Sequence, residues 1–248
     1  MAFIRKTAEN IHILLVRPRH VGNIGSSARA MKNTGFSQLV LVDPAPYDVP
    51  ETYMMGWNSE DVIKNALVFS SLKEAVASYH LVVGTTRRKG KGRENLYPLE
   101  ELLEEILSVA GKNRVAVLFG TESTGLLNSD LKECHKLAYI DTSTVFPSLN
   151  LSQAVLVVCY ELHKLLRREK PKSRLRPAGK AHLDLMYTHI DHTLKVLGYD
   201  VKGNRPLRQQ ILKRIRAVFS RALLEKKDVQ MVRGICQQIE KHLSRIKR

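Results

Sequence analysis

Residues 11–35 read IHILLVRPRHVGNIGSSARAMKNTG, an apolar run followed by a short polar loop and a stretch with helical spacing. The run at 11–16 barely alternates between apolar and polar residues, which is typical of a strand buried on both faces of a parallel sheet. Helical patterns at 26–34, 72–78, 98–110 and 129–135 alternate with this run and four similar ones. We therefore predict an α/β fold with a mostly parallel sheet. Those four runs are LVLVD at 39–43, LVVGTT at 81–86, RVAVLFG at 114–120 and KLAYID at 136–141.

The chain after residue 148 is predicted to be helical. One helix is expected from Leu149 to about Glu169, and its first half is apolar nearly all round, which indicates burial in a core or against a second subunit. The stretch KPKSRLRPAGK at 170–180 then interrupts every periodicity, and apolar residues recur at steps of three and four beyond it. We therefore predict one domain at 1–170, a linker at 171–180 and a small, basic, all-helical domain at 181–248.

Positive charge is concentrated in the C-terminal part of the chain. The 248 residues carry a formal net charge of +16, with 17 basic and 16 acidic side chains in residues 1–150 but 23 and 8 in residues 151–248. This asymmetry favours a ligand or reaction module joined to a surface for a polyanion, and the alternative is a basic surface that only keeps the protein soluble. With 44% hydrophobic residues, the composition excludes a disordered chain.

The cysteine and hydropathy patterns argue against several protein classes. The three cysteines are scattered without a C-x-x-C pair, so we expect neither a disulfide framework nor a zinc knuckle. His182, His189 and His192 share one predicted helix, but no acidic or cysteine cluster completes a ligand set, so no metal is expected. The apolar runs are too short for a signal peptide or a membrane span, which predicts a cytoplasmic protein that does not contact a membrane.

The loop and helix at 21–35 form the first candidate site. Gly22 and Gly25 would let the backbone approach a ligand, and Ser26 or Ser27 would cap the following helix. Arg29 would then lie in the first turn of that helix, where a cation opposes the helix dipole, so we expect it to contact an anion. The alternative is an ordinary ion pair with a neighbouring carboxylate.

Two further loops follow predicted strands. LFGTESTGL at 118–126 places Glu122 between two glycines in a tight loop, and a plain turn near a helix start is the alternative. FPSLNLSQAV at 146–155 offers Ser148 and Asn150, whose side chains could bind a ligand hydroxyl or carbonyl but are also ordinary helix caps. Because open α/β sheets bind ligands at the carboxyl ends of their strands, we expect these loops to meet.

Several familiar enzyme signatures are absent from the sequence. GNIGSS is not the G-x-G-x-x-G dinucleotide fingerprint, GTTRRKGKG is not a P-loop, and no G-x-S-x-G elbow is present. The basic loop that contains Arg87, Arg88 and Lys89 either contacts phosphate or is solvated, and the overall charge favours phosphate.

In this order, NIGSSARAMKNTG, LFGTESTGL and FPSLNLSQAV resemble the three motifs of the SPOUT class of RNA methyltransferases, TrmH-like branch. The segments HTLKVLGYD and MVRGICQQIE within residues 181–248 are also similar to the C-terminal extension of the TrmJ subfamily. The resemblance implies a sheet whose C-terminal part forms a trefoil knot (the SPOUT fold), S-adenosyl-L-methionine as methyl donor, and a homodimer. It implies catalytic roles for Asn23, Arg29, Glu122, Ser148 and Asn150, and cofactor contacts from Thr85, Thr86, Arg87, Gly120, Ile140, Pro147, Ser148 and Leu149.

The TrmJ resemblance further implies methylation of the ribose 2′-oxygen of nucleotide 32, cytidine or uridine, in the tRNA anticodon loop. The alternatives are an rRNA 2′-O-methyltransferase of the same fold and a non-catalytic RNA-binding protein. Relatives often carry Arg where this chain has Thr121, which leaves the tRNA contacts of that loop open. RNA contacts are expected from Arg87, Arg88, Lys89, Lys213, Arg214, Arg216 and Arg221.

The role of Arg29 follows from its chemistry. The family's proposal makes this residue the base, but a guanidinium with a pKa above about 12 is a poor base. We therefore expect Arg29 to bind the adjacent RNA phosphate and polarise the 2′-hydroxyl.

Overall fold

A computed structural model describes residues 2–87, 95–168, 177–199 and 207–246. The chain divides into two compact units, Met1–Leu175 and Arg176–Arg248. The first unit contains the sheet and the second contains helices.

Within the described residues the first unit contains one seven-stranded sheet in which every pair of neighbouring strands is parallel. Its strand order is β3-β2-β1-β6-β4-β7-β5. This confirms the predicted α/β class and each of the five predicted strands, whereas the edge strands β3 and β5 were not predicted because each has only three residues. The strands are β1 Ile11–Val16, β2 Gln38–Val42, β3 Leu67–Phe69, β4 Leu81–Thr85, β5 Leu96–Pro98, β6 Val115–Phe119 and β7 Lys136–Tyr139.

Helices flank the sheet, whose central strands are buried. Every residue of β1 and β6 is buried, which explains why their sequences are continuous apolar runs. The helices of this unit are α1 Ala2–Glu9, α2 Val21–Asn33, α3 Pro50–Met55, α4 Glu60–Lys64, α5 Leu72–Val76, α6 Leu99–Ala110, α7 Asn128–Leu131 and α8 Leu151–Arg168.

Helix α2 begins five residues earlier than the sequence predicts. Its N-cap residue is His20, so neither Ser26 nor Ser27 caps it, and Arg29 lies in the third turn, where the dipole argument does not apply. Gly22 and Gly25 lie within the helix and not in a loop, and Gly25 serves packing between helices. A Cβ atom at Gly25 would lie 2.1 Å from the carbonyl oxygen of Thr52, so only glycine allows α2 to pack this closely against α3.

Helix α8 is buried on one side only. It begins at Leu151, two residues later than predicted, and Leu151, Val155 and Leu162 point into the core. Leu156 and Tyr160 are 43% and 53% exposed. Within the single chain, the first half of the helix is therefore not buried on all sides.

The second unit is helical, as predicted. Its helices are α9 Lys180–Val196, α10 Leu207–Ala222 and α11 Lys226–Ile246. Their shared core contains Leu183, Met186, Tyr187, Ile190, Val229 and Cys236. The trefoil knot and the exact domain boundaries stay predictions.

Candidate active site

A pocket lies at the carboxyl ends of the adjacent strands β6, β4 and β7. This is the edge at which parallel sheets bind ligands. All eight residues expected to contact the cofactor line it, namely Thr85, Thr86, Arg87, Gly120, Ile140, Pro147, Ser148 and Leu149. Sequence reasoning did not assign cofactor contacts to the further lining residues Phe119, Thr121, Glu122, Ser123, Thr124, Gly125, Leu126, Thr142, Leu151 and Ala154.

Glu122, in the loop after β6, lines the pocket and is the centre of a polar network. Its Oε1 accepts hydrogen bonds from the backbone N–H of His20 at 3.1 Å and from Nδ2 of Asn23 at 3.0 Å. Its Oε2 accepts one from the backbone N–H of Arg19 at 3.2 Å. A carboxylate at the N-terminal end of α2 is favourable because the helix presents unsatisfied N–H groups there.

The hydrogen bonds of Glu122 determine its charge state. Burial raises the pKa of this carboxyl, but Asn23 and the backbone amides of Glu122 itself, His20 and Arg19 outweigh burial and hold the pKa below its usual value. Glu122 is therefore an ionised, fixed acceptor at neutral pH.

Asn150 extends the network from the third motif to the first. Its Nδ2 donates to Oδ1 of Asn23 at 2.9 Å, and its Oδ1 accepts from the backbone N–H of Ser152 at 2.9 Å. It is therefore both a cap of α8 and a partner of Asn23. Ser148 lines the pocket two residues earlier. The structure thus brings four of the five predicted catalytic residues, Asn23, Glu122, Ser148 and Asn150, to one place.

Arg29 lies apart from these four residues. It is exposed on α2 and is not part of the pocket lining. Six residues separate it from Asn23, which places the two side chains about 120° apart around the helix and about 9 Å apart along it. Within the single chain, Arg29 therefore does not reach a substrate bound in this pocket.

The loop at 120–125 is tight, as the sequence predicts. A Cβ atom at Gly120 would lie 2.0 Å from the carbonyl carbon of Gly125, and Gly125 itself has a φ of +69°. The side chain of Thr121 forms hydrogen bonds within this turn. Its Oγ1 accepts from the backbone N–H of Thr124 at 3.2 Å.

An ion pair that sequence reasoning missed supports these loops. Arg17, just after β1, pairs with Asp130 at the start of α7, and Asp130 also accepts from the backbone N–H of Leu127 at 2.7 Å. Two opposite charges separated by 113 residues leave no signal in a single sequence. The pair connects the loop that leads to Asn23 with the segment that follows Glu122.

The residues predicted to bind RNA fall in three groups. Arg87 lines the pocket, whereas Arg88 and Lys89 lie outside the described residues. Lys213, Arg214 and Arg221 are exposed on α10. Arg216 lies on the same helix with its guanidinium carbon 4.3 Å from the centre of the Tyr187 ring, so it also stabilises the helical unit through a cation–π contact.

Two kinds of feature are absent from the described residues. Over 2–87, 95–168, 177–199 and 207–246, no group of three or more His, Cys, Asp or Glu side chains could hold a metal ion. Over the same ranges, none of the helices has the length and apolar character needed to cross a membrane.

Comparisons with known proteins cover nearly the whole chain. Residues 10–160 match the SpoU rRNA Methylase family, and residues 181–248 match the tRNA methyltransferase TrmJ, C-terminal domain. The tRNA (cytidine/uridine-2′-O-)-methyltransferase TrmJ of Photorhabdus laumondii is 34% identical over 238 residues, which is 94% of this chain and 98% of that protein.

Two solved structures are also similar. TrmJ from Z. mobilis ZM4 has a TM-score of 0.76 and 30% sequence identity over 92% of this chain and 98% of its own. The SpoU methyltransferase AviRb from Streptomyces viridochromogenes, solved in complex with the cofactor AdoMet, has a TM-score of 0.52 and 21% identity over 65% of this chain and 62% of its own, and shares the fold. On the family matches and the TrmJ identity, the chain belongs to the SpoU methylase family and, within it, to the TrmJ methyltransferases.

Proposed function

We propose that this protein transfers a methyl group from S-adenosyl-L-methionine to the ribose 2′-oxygen of nucleotide 32, a cytidine or uridine, in the tRNA anticodon loop. The observation that carries the proposal is the Glu122–Asn23–Asn150 network beside a pocket at the carboxyl edge of the sheet, in a chain of the TrmJ group. Nucleotide 32 and the anticodon loop come from the resemblance to the subfamily. The tRNA substrate favours a cytoplasmic location.

The residues of the pocket fit S-adenosyl-L-methionine. Ile140, Leu149 and Leu151 offer apolar contacts for the adenine and the aliphatic part of the methionine, while the glycine-rich loop at 120–125 exposes backbone amides and carbonyls. When bound, the cofactor supplies an electrophilic methyl group on a sulfonium. The methyl carbon and the acceptor oxygen must then lie about 3–3.5 Å apart, so the pocket's main task is orientation.

The polar residues have separate proposed roles. Glu122, Asn23 and Asn150 would fix the loops around the cofactor and the ribose. Ser148 would bind a ligand hydroxyl or carbonyl next to them. Arg29 would bind the RNA phosphate beside the target and polarise the 2′-hydroxyl, so that the proton leaves through that phosphate or a water. Because Arg29 does not reach the pocket of its own chain, this role requires the homodimer proposed below. If Arg29 binds phosphate, Arg29→Lys keeps RNA affinity. If Arg29 is instead the base, the rate of Arg29→Lys rises steeply with pH.

The helical unit is proposed as the tRNA-binding domain, residues 181–248, joined by the linker 171–180 to the methyltransferase domain 1–170. Lys213, Arg214 and Arg221 on one helix would supply salt-dependent contacts to phosphates. Affinity for tRNA is expected to fall steeply between low and moderate salt. Flat salt dependence would contradict this role.

We also propose that the protein is a homodimer. The exposed Leu156 and Tyr160 on α8 form an apolar stripe that the single chain leaves uncovered. Light scattering after size-exclusion chromatography is expected to give twice the chain mass, and Leu156→Glu is expected to reduce it.

The decisive experiment measures transfer of a labelled methyl group from S-adenosyl-L-methionine to unmodified bulk tRNA, with mapping by nuclease digestion and mass spectrometry. We expect label on the ribose of nucleotide 32, lost in Arg29→Ala and kept in Asn33→Ala, an exposed position on the same helix. Label on rRNA but not on tRNA would overturn the substrate. No transfer to either, without stabilisation by the cofactor, would favour a non-catalytic RNA-binding protein.

A further inference from the structure

An exposed aromatic ring lies directly before the pocket wall. Phe146 is 79% exposed and precedes Pro147, which lines the pocket, so the Cα atoms of the two residues are about 3.8 Å apart. The neighbouring Val145 is 91% exposed. Phe119 also lines the pocket, but it is buried in β6 at 1% exposure and presents no ring to a ligand outside.

The loop that carries Phe146 is held against the pocket at its base. The hydroxyl of Thr142 donates to the carbonyl oxygen of Pro147 at 3.0 Å, and both residues line the pocket. Inside this closed segment the backbone N–H of Val145 donates to Oγ of Ser143 at 3.2 Å. Phe146 is therefore attached to a segment that is fixed by its own hydrogen bonds, at the edge of the site.

We propose that Phe146 is the platform on which an unpaired base of the substrate RNA stacks, next to the ribose that enters the pocket. This inference rests on the proposed function and adds a substrate-binding residue to it. A ribose hydroxyl in a folded RNA reaches a pocket only when its nucleotide is splayed out, and the exposed base then gains from stacking on an aromatic side chain. Arg87, on the pocket lining, offers a cation for the phosphate of the same segment.

The size of this patch favours a base over a protein. Within the loop at 142–147 the exposed apolar surface consists of two adjacent side chains, Val145 and Phe146, whereas a specific protein interface buries about 800 Å² on each partner. A single nucleobase matches one phenyl ring in area, and stacking tolerates every base because each has a π-face.

The first test compares variants at this position by steady-state kinetics on unmodified tRNA. Phe146→Ala and Phe146→Leu are expected to raise KM for tRNA by about 5- to 150-fold, the factor for losing one base–aromatic stack, while Phe146→Tyr stays near wild type. Affinity for S-adenosyl-L-methionine, measured by calorimetry without RNA, is expected to remain unchanged. Val145→Ala is the matched control, because it truncates a neighbouring, also exposed, apolar side chain that has no ring.

A second readout does not depend on activity. The chain has one tryptophan, Trp57, which is 64% exposed, so Trp57→Phe combined with Phe146→Trp leaves a single indole at the proposed platform. Its fluorescence is expected to be quenched by an unpaired anticodon-loop oligonucleotide. Quenching without methyl transfer would leave the stacking proposal standing and overturn the proposed function.

Three results would overturn the stacking role. The first is a Phe146→Leu enzyme whose KM for tRNA equals that of wild type. The second is methyl transfer by the wild type when the tryptophan variant shows no quenching by the oligonucleotide. The third is a change in molecular mass or cofactor affinity that accounts for the loss of activity in Phe146→Ala.

Discussion

Arg17 and Asp130 join two loops at the carboxyl edge of the sheet by a nearly buried ion pair. The side chain of Asp130 is 5% exposed and that of Arg17 is 22% exposed. Arg17 also has a φ of +52°, a conformation that costs free energy in a residue with a side chain. The ion pair offsets this cost and fixes the loop that leads into α2, where Asn23 reaches Glu122.

Removing Asp130 should be far more costly than removing an exposed partner. Asp130→Ala leaves the Arg17 guanidinium without its carboxylate and the Leu127 amide without its acceptor, so we expect the free energy of unfolding of the sheet unit to fall by about 3–5 kcal/mol. Native-state hydrogen exchange of β1 and β6 amides measures this. Glu9→Ala, which removes the exposed partner of Arg5, is the control and should cost at most about 1 kcal/mol. Equal losses would contradict the structural role of the pair.

Asn23 should control the ionisation of Glu122. Because Asn23 donates a hydrogen bond that lowers the pKa of this carboxyl, Asn23→Ala is expected to raise it. The carboxyl ¹³C shift of Glu122, followed by NMR from pH 2 to 7, reports the change without any activity assay. In Asn33→Ala, at an exposed position on the same helix, the titration should match wild type. A midpoint that does not move in Asn23→Ala would show that the backbone amides alone determine the charge of Glu122.

The sequence is most informative where one local requirement decides the structure. The runs at 11–16 and 114–120 were recognisable because strands buried on both faces need apolar residues at every position. The start of α2 was misplaced because Gly22 and Gly25 are typical of a loop, whereas here the missing side chain of Gly25 admits α3. The requirement for glycine comes from a neighbouring helix, and the local sequence pattern carries no information about that helix.

The ordered motifs predicted which residues meet at this edge of the sheet, but the sequence did not predict the contacts between them. Ordered motifs located Glu122 and Asn150, since loops after parallel strands gather at one edge. The bonds that connect them, and the backbone amides of Arg19 and His20 that bind Glu122, depend on three-dimensional register. Arg29 lies in the third turn because α2 begins at Val21, so one error in a helix boundary also invalidated the helix-dipole argument for this residue.

Acid should destabilise the sheet unit through His12. Burial, and secondly the charge of Arg114, lower the pKa of His12 to about 4, and its Nδ1 lies 2.8 Å from the Tyr79 hydroxyl. Because the folded-state pKa is below the unfolded value of about 6.5, this contribution to stability is complete above pH 6.5 and is lost as the pH falls towards 4, by about 3 kcal/mol. Hydrogen exchange or urea unfolding between pH 4.5 and 8 measures the slope. His12→Gln should flatten it below pH 6.5 and leave it unchanged between pH 7 and 8. A slope that persists in His12→Gln would assign it to other groups.

Gly120 should tolerate no side chain, although its φ is not in the left-handed region. A Cβ atom there would lie 2.0 Å from the carbonyl carbon of Gly125 and 2.1 Å from the backbone nitrogen of Leu126, and backbone atoms cannot turn aside as a flexible side chain can. Gly120→Ala must therefore open the turn at 121–125, which forms one wall of the pocket. We expect a loss of about 1–3 kcal/mol in stability and no thermal stabilisation by S-adenosyl-L-methionine.

Gly234 in α11 is the matched control for Gly120, because a Cβ atom there meets nothing within 4 Å. In a helix interior alanine is preferred over glycine by about 1 kcal/mol, so Gly234→Ala should raise the stability of the helical unit and leave cofactor binding as in wild type. If Gly120→Ala bound S-adenosyl-L-methionine normally, the turn would be more adaptable than its backbone contacts indicate. The loops after β4 and β7 would then determine the shape of the pocket.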